Sequence, residues 1–265
     1  MAIPVHEPSL LAPALRRPFG LFLNLNGTLA PIADRPEAAQ VPPVARAAIA
    51  ALVGRLDLVA VITGAPAAQA REMVGVDGVV YLGNHGQDRI GPNGDQNLAP
   101  PPSDALLAAA AAATRRCGDR GVFVEPKGAG VGIHFRAARN PRATRKHLLA
   151  ALHAGEQAGQ FRLVEGRCLL DLRPTHERDK GDAVTGLIDE YQLRGAIYLG
   201  DDRTDVPAFR ALKRLRNAGG FGIAIGVSND EAPEAARDYA DFMVDDVSGV
   251  VRILGWLADR LPKRP

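Results

Sequence analysis

The stretch FGLFLNLNGT at residues 19–28 decides the fold, because a run of apolar residues stops there in a polar turn. Four more short apolar runs end in glycine or a small polar residue, at residues 58–62, 79–82, 196–199 and 221–225. Helical patterns lie between these runs, at residues 43–55, 67–74 and 182–191. Strands that alternate with helices predict βαβ units, and therefore an α/β fold with a Rossmann-like parallel sheet.

The middle of the chain has a different pattern, in the order αββαββ. A proline-rich break at residues 99–102 precedes Ser103, which can cap a helix through the alanine run 108–113. The other elements are β-like runs at 122–125 and 131–136, a helix from about 141 to 158, and β-like runs at 161–165 and 168–173. This order predicts a small α+β domain with an antiparallel sheet, inserted into the parallel domain. The predicted boundaries are 18–100 and 175–262 for the core, 101–174 for the insertion and 1–17 for an N-terminal extension.

Composition excludes several classes of function. Hydrophobic residues make up 46% and charged residues 23%, which is ordinary for a folded protein, and the net charge of +2 is too small to indicate a nucleic-acid surface. No apolar run approaches the roughly 20 residues that span a bilayer, so we expect no membrane partner. Cys117 and Cys168 form no metal or redox motif, and the N-terminus has no signal-peptide pattern. We therefore expect a cytoplasmic location.

Polar groups follow several of the predicted strands. In an open parallel sheet, ligands bind at the carboxyl ends of the strands. The groups at these positions are Asn24-Leu25-Asn26-Gly27-Thr28, Thr63-Gly64, Asp179-Lys180-Gly181 before a helix, and Gly200-Asp201-Asp202-Arg203-Thr204-Asp205. Each alone is more typical of a turn, a helix start or an N-cap. Together they supply donors and a lysine for a phosphate, and carboxylates for a cation such as Mg²⁺.

This order resembles the haloacid dehalogenase (HAD) superfamily of phosphatases. Its four motifs are Asp-x-Asp-Gly-Thr, a Ser or Thr before Gly, a Lys, and Gly-Asp-Asp-x-x-Asp, and each has a counterpart here. The inserted domain is similar to the larger, C2B-type cap of that superfamily. More specific segments resemble the trehalose-6-phosphate phosphatase family, at residues 23–32, 82–86, 124–127, 134–136, 166–180 and 200–205. The resemblance runs from about residue 19 to 257.

The resemblance implies a role for each matched residue. Asn24 takes the position of the nucleophile and Asn26 that of the general acid and base, with Thr63 and Lys180 completing the catalytic set. The substrate would contact Gly27, Thr28, His85, Glu125, Lys127, His134 and Arg136. The family's Mg²⁺ site maps onto the Asn24 side chain, the Asn26 backbone carbonyl and Asp201, with Asp202 and Asp205 beside them.

The first motif departs from the family at both aspartates. In the family, the first attacks phosphorus to form an aspartyl phosphate, and the second protonates the leaving oxygen and then activates water. A neutral amide, as in Asn24 and Asn26, is a very poor nucleophile and exchanges no protons near neutral pH. Ala65 and Val206 also depart from the Arg and Glu that are usual in the family. We therefore expect both chemical roles to be lost, and Mg²⁺ binding to be weakened or absent.

Three hypotheses follow. The first is a catalytically silent homologue that binds a sugar phosphate, with trehalose 6-phosphate the first candidate. It would act as a sensor, or as a regulatory or scaffolding partner of a trehalose-phosphate synthase. The second is an active Mg²⁺-dependent trehalose-6-phosphate phosphatase present as an inactivated variant, although four departures around one pocket favour natural divergence. The third is a different chemistry with a new nucleophile, for which Thr28 is close in sequence but has no evident base beside it.

Overall fold

The computed structural model describes residues 3–4, 7–32, 39–94, 96–97, 101–155, 159, 161–175, 178–228 and 234–263. The chain divides into two compact units, one formed by Met1–Asn97 with Arg178–Pro265 and the other by Leu98–Glu177. We call them the core unit and the inserted unit. Parts of three predicted segments lie outside the described residues, at 99–100, 156–158 and 176–177.

The described elements alternate between strands and helices over most of the chain. The strands are β1 (Ile3–Pro4), β2 (Phe19–Leu23), β3 (Leu58–Ile62), β4 (Val80–Gly83), β5 (Asp88–Ile90), β6 (Gln96–Asn97), β7 (Phe123–Lys127), β8 (Gly130–His134), β9 (Phe161–Gly166), β10 (Leu169–Pro174), β11 (Gly195–Gly200), β12 (Phe221–Ser228) and β13 (Phe242–Asp245). The helices are α1 (Pro43–Val53), α2 (Ala67–Val74), α3 (Asp104–Cys117), α4 (Pro141–His153), α5 (Lys180–Glu190), α6 (Val206–Asn217), α7 (Glu234–Tyr239) and α8 (Asp246–Arg260). Short 3₁₀ helices cover Pro8–Ala14 and Arg203–Asp205.

The core unit contains a mostly parallel sheet with the strand order β1-β13-β12-β11-β2-β3-β4-β5-β6. The pairs from β1 to β4 in this order are parallel, and β5 and β6 add antiparallel pairs at one edge. The predicted α/β fold with a parallel sheet is therefore confirmed. Because the chain runs from β2 to β3 on one side and returns through β11 on the other, the order reverses beside β2. That reversal creates the crevice where such sheets bind ligands.

Apolar layers cover both faces of the parallel sheet. The strands β2, β3 and β11 are buried along their whole length, as expected for parallel strands between two layers of helices. Along β2, Leu21 and Leu23 belong to the cluster formed with α1, α2 and α8, whereas Phe22 belongs to the cluster formed with α5, α6 and α7. The helices and the sheet thus hold the carboxyl ends of β2 and β11 rigidly beside each other.

The inserted unit is built on an antiparallel sheet with the order β7-β8-β10-β9. One face packs on α3 and α4 through a cluster that includes Leu106, Ile133, Leu148 and Leu170. As the sequence predicted, Ser103 caps α3, since its side chain accepts a hydrogen bond from the Leu106 backbone N–H. The side chains of β7 alternate across the sheet, so that Phe123, Glu125 and Lys127 share the face opposite to this cluster.

Some elements differ from the sequence prediction. The strand β2 ends at Leu23 rather than residue 25, because the Leu25 carbonyl accepts hydrogen bonds from the turn that follows. The helix α5 begins at Lys180 rather than residue 182, because Asp179 caps it. The short strands β5 and β13 were not predicted from apolar runs, because β5 carries Asp88 and Arg89 and β13 ends in Asp245. In the described part of the chain, no helix is long and apolar enough to cross a membrane.

Candidate functional site

The carboxyl ends of β2 and β11 bring the first and fourth motifs together. The two strands pair in parallel with Leu23 opposite Leu199, and the Asn24 backbone N–H donates to the Leu199 carbonyl at 2.9 Å. Asn24 is 5% exposed and Asp201 is fully buried. The residue in the predicted nucleophile position therefore lies at the floor of the crevice, in contact with the fourth motif.

The Asn24 side chain uses both ends of its amide. Its Nδ2 donates to Asp201 Oδ1 at 2.7 Å and to the Asn26 backbone carbonyl at 3.1 Å. Its Oδ1 accepts a hydrogen bond from Lys180 Nζ at 3.0 Å. Because its partners on one side are acceptors and its partner on the other side is a donor, the amide has one favourable orientation.

Lys180 is held in the floor by a helix cap and an ion pair. It is the first residue of α5, and the preceding Asp179 accepts hydrogen bonds from the Gly181 and Asp182 N–H groups at 2.8 and 3.0 Å. The Lys180 side chain is 2% exposed, and its Nζ lies 2.6 Å from Asp205 Oδ1. Removing either residue would leave the other charge buried without its ion-pair partner, which destabilises the folded protein.

Asp205 connects the ion pair to the rest of the fourth motif. Its Oδ1 also accepts from the Tyr198 hydroxyl at 2.7 Å, and its Oδ2 accepts from the N–H groups of Asp201 and Asp202 at 2.9 Å each. Burial, followed by the nearby Asp205 charge, raises the pKa of Tyr198 well above its ordinary value. Tyr198 is therefore a neutral donor at physiological pH.

Thr28 and Gly27 pack directly against Asp201. The Thr28 hydroxyl donates to Asp201 Oδ1 at 3.0 Å, and Thr28 is fully buried. Gly27 has a φ of 85°, and a Cβ at this position would lie 2.0 Å from Asp201 Oδ2, so no other residue fits. The structure thus corrects one expectation from the sequence, because Thr28 does have a carboxylate beside it.

Several donors predicted for a phosphate are already engaged within the first-motif turn. The Gly27 N–H donates to the Ala30 carbonyl at 2.7 Å, and the Thr28 N–H donates to the Leu25 carbonyl at 3.3 Å. The partly exposed Asn26 side chain differs, because its buried Oδ1 accepts no hydrogen bond from the described residues. Asn26 Oδ1 is therefore a buried first-motif acceptor whose hydrogen-bonding capacity the described residues leave unused, and only a donor could satisfy it.

The second motif brings Thr63 and His85 together at the end of β3. The Thr63 carbonyl accepts from the His85 N–H at 2.8 Å, and Thr63 Oγ1 accepts from the Ala65 N–H at 3.2 Å. His85 has a φ of 62°, a left-handed conformation that is uncommon outside glycine. Its imidazole lies over Gly64, where Nε2 is 2.9 Å from the position that a Cβ would take. The structure thus places His85 beside the loop predicted to bind phosphate.

Asp88 supports this loop and was missed by the sequence analysis. Its Oδ2 accepts from the Ala67 N–H at the start of α2 at 2.8 Å, and its Oδ1 accepts from Asn84 Nδ2 at 3.0 Å. Burial raises the pKa of Asp88, although both hydrogen bonds oppose that effect. Its position after Gly86 carried no motif, so only the folded loop reveals it.

A polar cluster lies on the open face of the inserted unit. Glu125 Oε2 lies 2.7 Å from His134 Nε2 and 3.4 Å from Lys127 Nζ. Burial tends to raise the pKa of Glu125, but the His134 hydrogen bond and the Lys127 charge outweigh it and lower this pKa. Arg136 lies in the turn after β8. Three of the four inserted-unit residues predicted to contact the substrate therefore form one polar group.

Phe123 belongs to the same face but was not predicted. It pairs with His134 across β7 and β8, and their rings stack 4.5 Å apart with an interplanar angle of 3°. Phe123 is 51% exposed, which is unusual for a large apolar side chain. The alternation of Phe123 with Glu125 and Lys127 along β7 is the signal in the sequence that could have identified it.

The predicted magnesium ligands do not fit a cation as they are arranged. Two of the three, the Asn26 carbonyl and Asp201 Oδ1, both accept hydrogen bonds from the third, the Asn24 amide nitrogen. No group of three or more His, Cys, Asp or Glu side chains able to hold a metal occurs in the described ranges.

A mostly parallel sheet with these four segments at its carboxyl edge defines the HAD fold class. A haloacid dehalogenase-like hydrolase from Bacteroides thetaiotaomicron shares this fold, with a TM-score of 0.66 at 12% identity over 90% of this chain and 98% of that one. The C-terminal domain of the C. albicans trehalose-6-phosphate phosphatase aligns with a TM-score of 0.79 at 18% identity, over 98% of both chains.

The chain belongs to the trehalose-phosphatase family, because the sequence profile of that family matches residues 22–248. Trehalose-phosphate phosphatases of Mycobacterium marinum and Mycobacterium avium are 35% and 33% identical over 94% and 92% of this chain. The chain spans 65% and 63% of the length of these two relatives. Family membership thus rests on nearly the whole chain but on only part of the curated relatives.

Proposed function

We propose that this protein binds a sugar phosphate, with trehalose 6-phosphate the first candidate, and does not hydrolyse it. Family membership supports the ligand class. The geometry of Asn24 carries the proposal of inactivity, because its amide lies in the nucleophile position with its oxygen bound to Lys180 and its nitrogen bound to Asp201. The proposed domains are a core of 18–100 and 175–262 and a cap of 101–174.

The position of Thr28 argues against a replacement nucleophile. Its hydroxyl hydrogen is directed at Asp201, and the side chain is fully buried. An attacking oxygen must reach the reacting atom at about 3–3.5 Å, which a buried hydroxyl does not do. The proximity of a carboxylate therefore stabilises Thr28 in the floor and does not activate it.

Binding without turnover suits a sensor, or a regulatory or scaffolding partner of a trehalose-phosphate synthase. The second candidate is an active Mg²⁺-dependent trehalose-6-phosphate phosphatase that is present here as an inactivated variant. The contacts among Lys180, Asp205 and Tyr198 are compatible with this candidate, because they would support an aspartate at position 24 as well as the present asparagine. A cytoplasmic location remains a prediction.

Trehalose 6-phosphate is expected to bind with the same affinity in Mg²⁺ and in a chelator. An amide can donate hydrogen bonds to a phosphate, but the hydrogens of Asn24 are engaged by the Asn26 carbonyl and Asp201. The remaining candidates are the Asn26 side chain, Thr63 and His85. Titration calorimetry in the two buffers measures the difference. Absence of binding at millimolar ligand in both would overturn the proposed ligand class, and loss of binding in the chelator would favour the active-enzyme reading.

Phe123→Ala is expected to weaken binding of trehalose 6-phosphate about tenfold, since covering a half-exposed ring with a sugar buries apolar area worth roughly 1–2 kcal/mol. Phe123→Tyr retains the ring and should bind normally. Phe221→Ala is the matched control, because Phe221 is also an exposed phenylalanine, at 39%, but lies in the core unit under Arg16. Equal affinity of Phe123→Ala and Phe221→Ala would show that the Phe123 ring does not contact the sugar.

A further inference from the structure

We infer that the Asn24 amide takes the place of a metal ion, so that the side chain at position 24 alone decides whether this site binds a divalent cation. The inference concerns the site of the proposed function. Its test uses metal without sugar, so failure of sugar binding and failure of this inference are distinguishable.

The Asn24 nitrogen joins the two oxygens that a cation would have to share. Its two hydrogens point at Asp201 Oδ1 and the Asn26 carbonyl, with N···O distances of 2.7 and 3.1 Å. A bound Mg²⁺ would require oxygens at about 2.0–2.1 Å from a common centre. The amide thus supplies an internal electropositive bridge to the same two acceptors.

The amide cannot simply turn over to admit the metal. Turning it would put Oδ1 towards the cation but would bring Nδ2 to the position 3.0 Å from Lys180 Nζ, where both groups are donors. Lys180 has no alternative place, since it is 2% exposed and lies 2.6 Å from Asp205. A carboxylate has no such conflict, because one oxygen can accept from Lys180 while the other binds a cation.

Replacing Asn24 by aspartate would have the opposite effect on cation binding. With an aspartate at position 24, two buried carboxylates would face each other at the present Asn24–Asp201 distance of 2.7 Å. Like charges at such a separation repel strongly unless a cation lies between them. Asn24→Asp therefore changes a site whose acceptors are already satisfied into one in which a bound cation relieves the repulsion between two carboxylates.

The test compares Mn²⁺ and Mg²⁺ binding by the full chain, Asn24→Asp and Asn26→Asp in titration calorimetry. Asn24→Asp should bind at least roughly 100-fold more tightly than the unmodified protein, since loss of supporting groups alone changes metal affinity 10–100-fold. Asn26→Asp is the matched control, because position 26 would offer the metal its backbone carbonyl, so this variant should bind as weakly as the unmodified protein. Equal affinities of the unmodified protein and Asn24→Asp, or tight binding by Asn26→Asp, would overturn the inference.

Thermal unfolding gives a second readout. At a concentration about 100-fold above the dissociation constant, Mg²⁺ should raise the melting temperature of Asn24→Asp by roughly 5–10 °C and leave the unmodified protein unchanged. If Asn24→Asp does not fold, the unmodified protein still provides a test by NMR. Mn²⁺ should leave its Asn24 side-chain NH₂ resonances sharp, and paramagnetic broadening of these resonances would overturn the inference.

Discussion

Purified protein incubated with trehalose 6-phosphate and Mg²⁺ is expected to release no phosphate above the uncatalysed background. The amide of Asn24 cannot form an aspartyl phosphate, and Asn26 cannot protonate a leaving oxygen. Removing the nucleophile alone lowers the turnover number of a serine protease on the order of 10⁶-fold. Phosphate monoesters hydrolyse so slowly without a catalyst that the residual rate should be undetectable in a phosphate-release assay.

The double variant Asn24→Asp with Asn26→Asp tests the origin of the expected inactivity. Natural divergence predicts weak or no recovery, because Ala65 and Val206 still depart from the family. Full recovery would instead support the inactivated-variant candidate. Asn26→Asp alone is the control, since it restores an acid without a nucleophile and should stay inactive. Turnover by the unmodified protein at rates of roughly 1–10³ per second, which are typical of enzymes, would contradict the proposed function.

The second large effect is expected when the buried ion pair between Lys180 and Asp205 is broken. Replacing Asp205 should lower the free energy of unfolding more than replacing Lys180. Asp205→Ala should lower the free energy of unfolding by about 3–5 kcal/mol, because it leaves Lys180 buried with Asn24 Oδ1 as its remaining partner among the described residues. It also removes the acceptor of the Tyr198 hydroxyl and of two backbone N–H groups. Urea denaturation followed by circular dichroism measures the change.

Lys180→Met should be less costly, at about 1–3 kcal/mol. The Asp205 carboxylate would keep the donors from Tyr198, Asp201 and Asp202, whereas the ammonium in Asp205→Ala would keep one acceptor, Asn24 Oδ1, among the described residues. The double variant should cost less than the sum of the two single changes, since the partners interact directly. An equal cost for the two single variants would show that the ammonium is solvated by other means.

The sequence predicted the central strands well because their environment is uniform. β3 lies between helices on both faces, so five consecutive apolar residues are enough to identify it as a buried strand. Its bounds agree with the prediction. The site was predictable as a set of positions at strand ends, since parallel strands place their carboxyl ends at one edge. The short strands that carry charged residues have no comparable pattern.

The contacts of the floor could not be predicted, because they join distant parts of the chain. Asn24 is separated from Lys180 by 156 residues and from Asp201 by 177, and the orientation of its amide depends on both. For the same reason, the sequence showed no carboxylate beside Thr28. Phe123 was missed because its stacking on His134 depends on the register of β7 with β8.

The hydrogen bonds of the floor form a chain, but protons cannot pass through its middle. One half joins Tyr198 and Lys180 through Asp205, the other joins Thr28 to Asp201, and Asn24 links the two through its side chain. A carboxylic acid at this link could take up a proton at one oxygen and release it from the other. An amide neither gains nor loses a proton near neutral pH. Asn24 therefore joins the two halves by hydrogen bonds but transfers no proton between them. The buried charges cannot exchange protons along this route.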